Sequence, residues 1–366
     1  MKYAVKRTSL TDISGWKNSP CKKAVVLMSG GVDSSAAALL LLRQGYSLAG
    51  LTMEITENGA NAATESAASV CKELSIPHFS VNISGDFKEN VINPFCSSYL
   101  RGLTPNPCAD CNEKIKFGLL LNIAEEMLGN DFSLATGHYA RMIVKNGRRY
   151  LAAAANRTKD QSYFLSGISG AQLSRILFPL GDFTSKEETR ELVRSSGLAV
   201  SERPESMEIC FADEEGYRAM LSRRPQPGPI TDTSGKVIGE HRGIEGYTLG
   251  QRKRLGIASR NPLYVISILP ETNTIIAAPR EDAFRHVVTA GAVNILAPDF
   301  LNNDQILYGK IRSQGDTAPC RVLSFDSESL TVLFSEPVFA PAPGQRLAVY
   351  TEENYVAAGG VIMASS

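Results

Sequence analysis

A strand–loop–helix pattern near the N-terminus constrains the fold more than any other feature of the sequence. The apolar run Ala24–Met28 predicts a short strand, and the Ala- and Leu-rich run Ser34–Gln44 predicts a helix that ends at Gly45. Ser47–Met53 predicts the next strand. Together these segments form a βαβ unit, which implies a parallel sheet with right-handed crossovers. The chain therefore begins as an α/β domain.

The loop inside this unit predicts a phosphate-binding site. Its sequence is Met28-Ser29-Gly30-Gly31-Val32-Asp33-Ser34-Ser35. The two glycines allow a ligand to approach the backbone, and the serines lie at a helix N-terminus, where free N–H groups and the helix dipole favour an anion. It is not a Walker A loop, because no Gly-Lys-Ser/Thr follows. The structural alternative is a tight turn with a serine cap, which would not require the whole string.

The rest of the chain divides into an α/β first half and a mainly β second half. In the first half we expect helices at Asn61–Leu74 and Glu113–Leu128 and a strand at Phe132–Thr136. We also expect a hairpin around Asn146-Gly147, over Ala140–Ala154, and a helix that opens on a capping box, over Ser185–Gly197. After about residue 205 the clearest predicted strands are Val265–Leu269, Thr274–Ala278, Leu307–Ile311, Leu330–Phe334 and Leu347–Tyr350. We interpret this half as a small linking domain followed by a small barrel.

Composition excludes several classes of protein. The 366 residues contain 38 Lys+Arg and 38 Asp+Glu, so overall charge does not indicate a nucleic-acid partner. The longest apolar runs fall far short of the ~20 residues of a membrane span, and the first twenty residues lack the apolar core of a secretory signal. We therefore expect a cytoplasmic protein without a membrane partner. Seven cysteines are too few for a disulfide scaffold and remain candidates for core positions, metal ligands or reactive thiols.

Three of the cysteines stand out. Cys108 and Cys111 form a Cys-x-x-Cys pair just before the helix predicted from Glu113, where a thiol has a lowered pKa. A redox pair and half of a zinc site are alternatives, although no second pair completes such a site. Cys210 lies near the change of domain, and a buried apolar cysteine is its structural alternative. We expect Cys21, Cys71, Cys96 and Cys320 to fill apolar positions.

Several ordered strings resemble a known family. The glycine loop resembles that of the PP-loop ATP pyrophosphatases, and from about Lys22 to the C-terminus the chain resembles the bacterial tRNA-specific 2-thiouridylases. The strings that carry the resemblance are Thr104–Phe117, Ala135–Arg141, Lys159–Leu165, Phe178–Gly181, Glu208–Phe211, Gly246–Lys253 and Pro343–Gln345.

The resemblance implies a fold and a reaction. The fold is a parallel-sheet PP-loop (adenine nucleotide alpha hydrolase-like) domain over residues 1–206, with 1–21 unassigned, a central linking domain over 207–288 and a tRNA-binding β-barrel over 289–366. Members of the family use ATP, with Mg²⁺, to adenylate the wobble uridine in the tRNA anticodon stem-loop. A cysteine persulfide then delivers sulfur to C2, giving 2-thiouridine, AMP and pyrophosphate. The sulfur comes from a persulfide-relay protein or a cysteine desulfurase.

The resemblance also assigns individual residues. Cys210 matches the cysteine that carries the persulfide, and Cys111 matches the partner that attacks it or afterwards closes a disulfide. The ATP-binding positions are Leu27, Met28, Ser29, Gly30, Gly31, Val32, Asp33, Ser34, Met53 and Gly137. The positions that meet the target base or the rest of the tRNA are Asn106, Pro107, Cys108, His138, Lys159, Asp160, Gln161, Arg312, Ser313 and Gln345.

Without the family, some of these residues have structural explanations. His138 fits a satisfied structural histidine, and Lys159–Gln161 fits a polar turn before a helix. Arg252–Arg254 with Arg260 fits a solvated basic face, which becomes a candidate phosphate-binding patch if the substrate is tRNA.

One departure from the family opens an alternative route for sulfur. The better-known members have an acidic residue where this chain has Cys108. Cys108, Cys111 and Cys210 therefore also fit three ligands of a [4Fe–4S] cluster with one open iron, which would carry the sulfide. Two other functions remain open at this point. One is a PP-loop amide ligase or synthetase that acts on a small metabolite, and the other is a non-catalytic RNA-binding protein on the same fold.

Overall fold

The computed structural model describes residues 3–8, 13–56, 62–202, 210–211, 220–221, 225–301 and 305–366. The chain divides into two compact units. Unit 1 comprises Met1–Asn90, Asp110–Cys210 and Asn354–Val356, and unit 2 comprises Val91–Ala109, Phe211–Glu353 and Ala357–Ser366. The boundaries of the three domains expected from the sequence remain a prediction.

Unit 1 contains a mostly parallel sheet, as predicted. Its strands in chain order are β1 Val5–Arg7, β2 Lys23–Leu27, β3 Ser47–Glu54, β4 His78–Asn82, β5 Ser133–Ala135, the hairpin β6 Ala140–Lys145 and β7 Arg148–Ala153, and β8 Ile176–Leu177. Within the described residues the main sheet has the order β1-β4-β3-β2-β5-β8. All its neighbours run parallel except β1, which pairs antiparallel with β4.

Most of the described helices belong to unit 1, and α5, Asn93–Leu100, belongs to unit 2. The α-helices in chain order are α1 Ile13–Lys17, α2 Val32–Arg43, α3 Ala62–Glu73, α4 Ser84–Phe87, α5 Asn93–Leu100, α6 Pro107–Asp110, α7 Leu120–Leu128, α8 Gly170–Leu173 and α9 Lys186–Ser195. In α2 the side chains of Ala36, Ala37 and Ala38 are fully buried. Their small size allows the helix backbone to lie close to the sheet and to neighbouring helices.

The register of the sheet decides where a ligand site can form. Leu27 at the end of β2 pairs with Leu51 of β3, and Val26 pairs with Ala135 of β5. The carboxyl ends of these three parallel strands therefore lie at one edge. In open α/β sheets this edge is where ligands bind.

The N-terminal extension, which the sequence left unassigned, is part of unit 1. Strand β1 pairs with β4, and the side chain of Trp16 on α1 is 4% exposed. The Trp16 indole N–H donates to the carbonyl of Ser47, 3.0 Å away. The extension therefore pairs the outer edge of β4, which would otherwise expose unpaired backbone groups.

One helix start and one helix cap differ from the sequence prediction. The helix expected from Glu113 begins at Pro107 and passes through a π-helix, Cys111–Leu119, before α7. Pro107 suits the first helical position, because a backbone N–H there has no acceptor within the helix and proline therefore loses no hydrogen bond. At α9, Ser185 caps the backbone N–H of Glu188, but the Glu188 carboxylate accepts from Thr184. The capping box is therefore only half formed.

Unit 2 contains a small sheet and a closed barrel, which confirms the prediction of a β second half. Its strands are β9 Gly228–Thr231, β10 Val237–His241, β11 Tyr264–Leu269, β12 Thr274–Ala278, β13 Phe284–Ile295, β14 Leu307–Lys310, β15 Ala318–Phe325, β16 Ser329–Phe339, β17 Arg346–Tyr350 and β18 Val356–Ser365. In the described chain the small sheet has the order β10-β9-β12-β11, and the barrel has the order β13-β16-β15-β14-β17-β18. No helix in the described ranges is long and apolar enough to cross a membrane.

Candidate active site

The predicted phosphate loop joins β2 to α2 and is held by its own serines. The Ser34 hydroxyl donates to the carbonyl of Gly31 at 3.1 Å and accepts the backbone N–H of Ser29 at 3.3 Å. The Ser35 hydroxyl also donates to Gly31, at 2.9 Å. These bonds shape the loop at the N-terminus of a twelve-residue helix, where free N–H groups favour an anion.

Two glycines bring other backbone segments against this loop. Gly30 has a φ of 71°, and a Cβ there would lie 2.6 Å from the carbonyl oxygen of Ala63. A Cβ on Gly137 would lie 2.6 Å from the carbonyl carbon of Asp33 and 2.7 Å from the backbone nitrogen of Ser34. The backbone after β5 therefore packs directly on the phosphate loop, and only glycine fits at residue 137.

The Asp33 carboxylate lies in a polar network. Lys186 Nζ is 2.5 Å from Asp33 Oδ1, and the Tyr139 hydroxyl donates to the same oxygen at 3.0 Å. The Tyr139 hydroxyl also lies 2.7 Å from Thr189 Oγ1, and the Lys186 ammonium is 5.6 Å from the centroid of the Tyr139 ring. Two groups, Lys186 and Tyr139, thus fix the orientation of Asp33, and Thr189 in turn holds the Tyr139 hydroxyl.

A cavity of about 440 Å³ lies at the carboxyl edge of the sheet. It brings together residues predicted to bind ATP with others predicted to act on tRNA or sulfur. The predicted site residues that line it are Leu27, Met28, Ser29, Asp33, Ser34, Met53, Gly137, His138, Gln161 and Cys210. Gly30, Gly31, Val32, Cys111, Lys159 and Asp160 also belong to unit 1 but are not among the lining residues.

His138 is an uncharged group in this cavity. Burial lowers the pKa of His138 well below its ordinary value, and the nearby Lys116 cation lowers it further. Its Nδ1 lies 2.8 Å from Thr136 Oγ1, and its ring contacts those of Phe117 and Phe178, with centroid distances of 5.9 and 6.2 Å. A neutral imidazole in this position can hydrogen-bond to a ligand without adding charge.

The polar turn Lys159–Gln161 is fixed by hydrogen bonds to residues outside it. Gln161 Oε1 accepts the backbone N–H of Tyr139 at 2.9 Å, and the backbone N–H of Gln161 donates to the Tyr139 carbonyl at 2.8 Å. The Asp160 carboxylate accepts from the backbone N–H of Ala154 and from the hydroxyl of Ser162, both at 2.9 Å. Asp160 therefore has a structural function here, while its contact with tRNA remains a prediction.

The two cysteines expected to handle sulfur have different exposures. Cys210 is exposed and lines the cavity, whereas Cys111 is 6% exposed at the start of the π-helix. All seven cysteines are in the thiol form. Within the described ranges, no group of three or more His, Cys, Asp or Glu side chains could hold a metal ion.

The other four cysteines only partly match the prediction of apolar positions. Cys71 and Cys320 are buried, and burial raises the pKa of each thiol to about 12. Cys96 is half-buried, and desolvation raises its pKa as well. The prediction is wrong for Cys21, which is exposed because it lies in the turn before β2 and not in the strand.

The remaining predicted residues belong to unit 2. Asn106 caps α6, since its Oδ1 accepts the backbone N–H of Ala109 at 3.1 Å, and Cys108 is exposed in the same turn. The Arg312 guanidinium donates to the carbonyls of Phe339 and Ala340 and stacks on the Phe339 ring. Ser313, next to Arg312, is half-buried. Contacts of these residues with tRNA stay predictions.

Sequence analysis missed two lysines that the fold brings to the site. Lys116 lines the cavity from the π-helix, and Lys186 pairs with Asp33 although 153 residues separate them. Lys116 lay in a string that carried the family resemblance, but Lys186 followed a helix cap and had no other signal. Only the packing of α9 beside α2 could reveal it.

Comparisons with known proteins bear on most of the chain. The family model described as "tRNA methyl transferase HUP domain" matches residues 22–214, "tRNA methyl transferase PRC-barrel domain" matches 220–279, and "Aminomethyltransferase beta-barrel domain" matches 285–362. The tRNA-specific 2-thiouridylase MnmA 1 of Syntrophus aciditrophicus (strain SB) is 42% identical over 93% of this chain and 92% of that protein. The tRNA-specific 2-thiouridylase MnmA of Pelobacter propionicus is 40% identical over 93% of this chain and 98% of that protein.

The names of the matches refer to different chemistry, methyl transfer in two domain models and thiolation in the relatives. The relatives are the more specific match, because each aligns over nearly its whole length at about 40% identity. The resemblance inferred from the sequence strings is confirmed. This chain belongs to the family of the tRNA-specific 2-thiouridylases.

Proposed function

We propose that this protein uses ATP to transfer sulfur to C2 of the wobble uridine in tRNA anticodons. One observation carries the proposal: Cys210 lines the same cavity as Ser29, Asp33 and Ser34 of the phosphate loop. A nucleophilic sulfur beside a pyrophosphate cradle suits a reaction that activates a carbonyl and then displaces AMP. The names of the relatives support the same substrate and product.

The phosphate loop holds the leaving pyrophosphate in this proposal. The uridine O2 attacks the α-phosphorus of ATP, the bond between the α and β phosphates breaks, and pyrophosphate leaves. Backbone N–H groups at the start of α2 and the Lys116 cation stabilise the negative charge that develops. Asp33 is the one carboxylate among the residues that line the described cavity, so it fits a carboxylate partner of the Mg²⁺ that accompanies the phosphates of ATP.

Sulfur then replaces the adenylated oxygen. Cys210 carries the terminal sulfur as a persulfide, and the Cys111 thiolate attacks Cys210 Sγ, which breaks the S–S bond and releases hydrosulfide. Hydrosulfide attacks C2, and AMP leaves with the original oxygen. The products are 2-thiouridine, AMP and a Cys111–Cys210 disulfide, which an external thiol must reduce before the next cycle. If the persulfide attacks C2 first, Cys111 closes the same disulfide afterwards.

The iron–sulfur route needs one more cysteine than the persulfide route. A persulfide route uses Cys111 and Cys210, which both belong to unit 1, whereas a three-thiolate site would also need Cys108 of unit 2. We therefore assign sulfur transfer to the persulfide. Anaerobic purification with iron and sulfide analysis tests this choice, since a stoichiometric cluster in an active protein would contradict it.

The tRNA and the sulfur donor are the partners in this proposal. The wobble base lies in a stacked loop and must be splayed out to reach the cavity, where the neutral His138 can meet its edge. The proposed contacts with the base or the tRNA backbone are Asn106, Pro107, Cys108, Lys159, Asp160, Gln161, Arg312 and Ser313. A persulfide-relay protein or a cysteine desulfurase charges Cys210, and we place the reaction in the cytoplasm, where both partners occur.

The experiment is analysis of tRNA nucleosides by mass spectrometry after incubation of the protein with unmodified tRNA, ATP and a persulfide donor. We expect 2-thiouridine, together with pyrophosphate release that depends on tRNA. The Cys210→Ser variant should form none, while Cys21→Ser, which removes another exposed thiol, should match the wild type. Pyrophosphate release that is independent of tRNA and requires ammonia or an amino acid would instead indicate an amide ligase.

A further inference from the structure

The loop that carries Asn106, Pro107 and Cys108 is attached to one turn of the barrel within unit 2. The backbone N–H of Thr104 donates to the carbonyl of Pro343 at 2.8 Å. The Gln345 side-chain amide donates in return to the Thr104 carbonyl at 3.2 Å. Both polar backbone groups of Thr104 are thus bonded to the turn at residues 343–345.

Between these two bonds the two backbones are in direct contact. Gly344 has a φ of 94°, a conformation that other residues adopt only with strain. A Cβ on Gly344 would also lie 3.0 Å from the N, C and O atoms of Thr104. Glycine is therefore required at residue 344 for its backbone conformation and for the close approach of the loop.

The turn itself is rigid because the barrel holds it. The backbone N–H of Gly344 donates to the carbonyl of Ile362 at 2.9 Å, and the N–H of Ile362 donates to the carbonyl of Gln345 at 2.8 Å. On the other side of the loop, a Cβ on Gly102 would lie 2.8 Å from Ile268 Cγ2 of the small sheet. The loop is therefore fixed at Gly102 by the small sheet and at Thr104 by the barrel.

We propose that Gln345 is a positioning residue that holds the loop Thr104–Cys108 in the conformation that receives the target base. This inference rests on the proposed function, and it differs from the family's assignment of Gln345 to tRNA contact. The geometry supports it because the Gln345 amide donates to the Thr104 carbonyl and lies 3.5 Å from the Pro105 carbonyl. Loss of this donor would remove the bond from Gln345 to the Thr104 carbonyl and loosen the loop.

The test uses the full-length protein and two variants that break the attachment in different ways. Gln345→Met keeps the length of the side chain and removes its donor, and Gly344→Ala leaves Gln345 intact but pushes the two backbones apart. Gly235→Ala is the matched control, because Gly235 also has a positive φ, 86°, but no described neighbour lies within 4 Å of its Cβ position.

Three quantities are measured for each protein: hydrogen exchange of the segment 103–109, the single-turnover rate of 2-thiouridine formation at saturating tRNA, and the Kd for tRNA. Removing one neutral hydrogen bond of about 0.5–1.5 kcal/mol should raise exchange at Thr104 and lower the rate by about 2- to 10-fold in Gln345→Met. Gly344→Ala should show a larger effect on both, and the Kd for tRNA should stay at the wild-type value. Gly235→Ala should leave exchange in this segment unchanged.

Two results would overturn the proposal. A weaker Kd for tRNA with an unchanged rate would mean that Gln345 contacts RNA, and wild-type exchange in Gln345→Met would mean that the amide does not hold the loop. If the wild type forms no 2-thiouridine at all, the proposed function fails. The exchange experiment then still decides whether Gln345 holds the loop, so the two failures are distinguishable.

Discussion

Substitution of Gly137 by alanine should separate the chemistry of the phosphate loop from the stability of the fold. The added Cβ would lie 2.6, 2.7 and 2.8 Å from the Asp33 carbonyl carbon, the Ser34 nitrogen and the Asp33 carbonyl oxygen. These are all backbone atoms, so no side-chain rotation relieves the overlap. Ordinary contact begins at 3.4 Å, so the two backbones must separate by 0.8 Å, the difference between 3.4 and 2.6 Å.

We expect this displacement to lower the reaction rate strongly and the free energy of unfolding only modestly. A misplacement of about 1 Å in a catalytic constellation can cost on the order of 100-fold in rate. Overpacking of a well-packed site costs about 1–3 kcal/mol of unfolding free energy. Gly137→Ala should therefore remain folded and release pyrophosphate about 100-fold more slowly than the wild type.

The assay is pyrophosphate release with saturating ATP and tRNA, alongside urea unfolding of the same preparation. Gly170→Ala is the matched control, because Gly170 is the first residue of α8 and has no described atom within 4 Å of its Cβ position. Its rate should equal that of the wild type. A folded Gly137→Ala protein with wild-type pyrophosphate release would refute the inference that the backbone at residue 137 supports the phosphate loop.

Three further predictions follow from burial and hydrogen bonding. Iodoacetamide should label the exposed Cys21 and Cys210 in the native protein but not Cys71 or Cys320, because burial raises the pKa of these two thiols to about 12. Mass spectrometry of digests measures the labelling, and early labelling of Cys71 would contradict the prediction. Burial lowers the pKa of His78 from 6.5 to about 4, so the unfolded chain binds more protons than the folded chain between these pH values. The free energy of unfolding should therefore fall as the pH decreases from 6.5 to 4, by up to about 3 kcal/mol. Urea unfolding should show a flatter pH profile for His78→Gln, and equal slopes would exclude His78 as the cause. Trp16→Ala should destabilise unit 1 by about 3–5 kcal/mol in urea unfolding, because the indole is 4% exposed; a loss below 1 kcal/mol would show that the N-terminal extension is not docked.

Local pattern was sufficient to predict most elements of secondary structure. The strand predicted at Ala24–Met28 is observed as β2, Lys23–Leu27. The predicted hairpin at Asn146-Gly147 is also observed, with both residues at positive φ. The strands of the second half also appeared where apolar runs lay between turn residues. These elements depend on neighbours in sequence, such as hydrophobic periodicity and turn chemistry, so their positions can be inferred without the fold.

Long-range contacts explain what the sequence did not predict. Strand β1 has no strong pattern of its own and forms because β4 offers an open edge. The start of the helix at Pro107 was missed because the Asn106 cap and Pro107 were interpreted as a loop before Glu113. The segment Val91–Ala109 groups with unit 2, although residues on both sides of it belong to unit 1.

The sequence by itself identified the family, and it predicted the phosphate loop and the reactive cysteines, because each is carried by a short ordered string of residues. Only the tertiary structure decided which of these residues share a cavity and what holds them in place. Cys210 joins Asp33 and Ser34 at one cavity, and Lys186 pairs with Asp33 across 153 residues of chain. Gln345 bonds to Thr104 across 241 residues. Such contacts depend on how distant segments pack, which no local pattern of residues encodes.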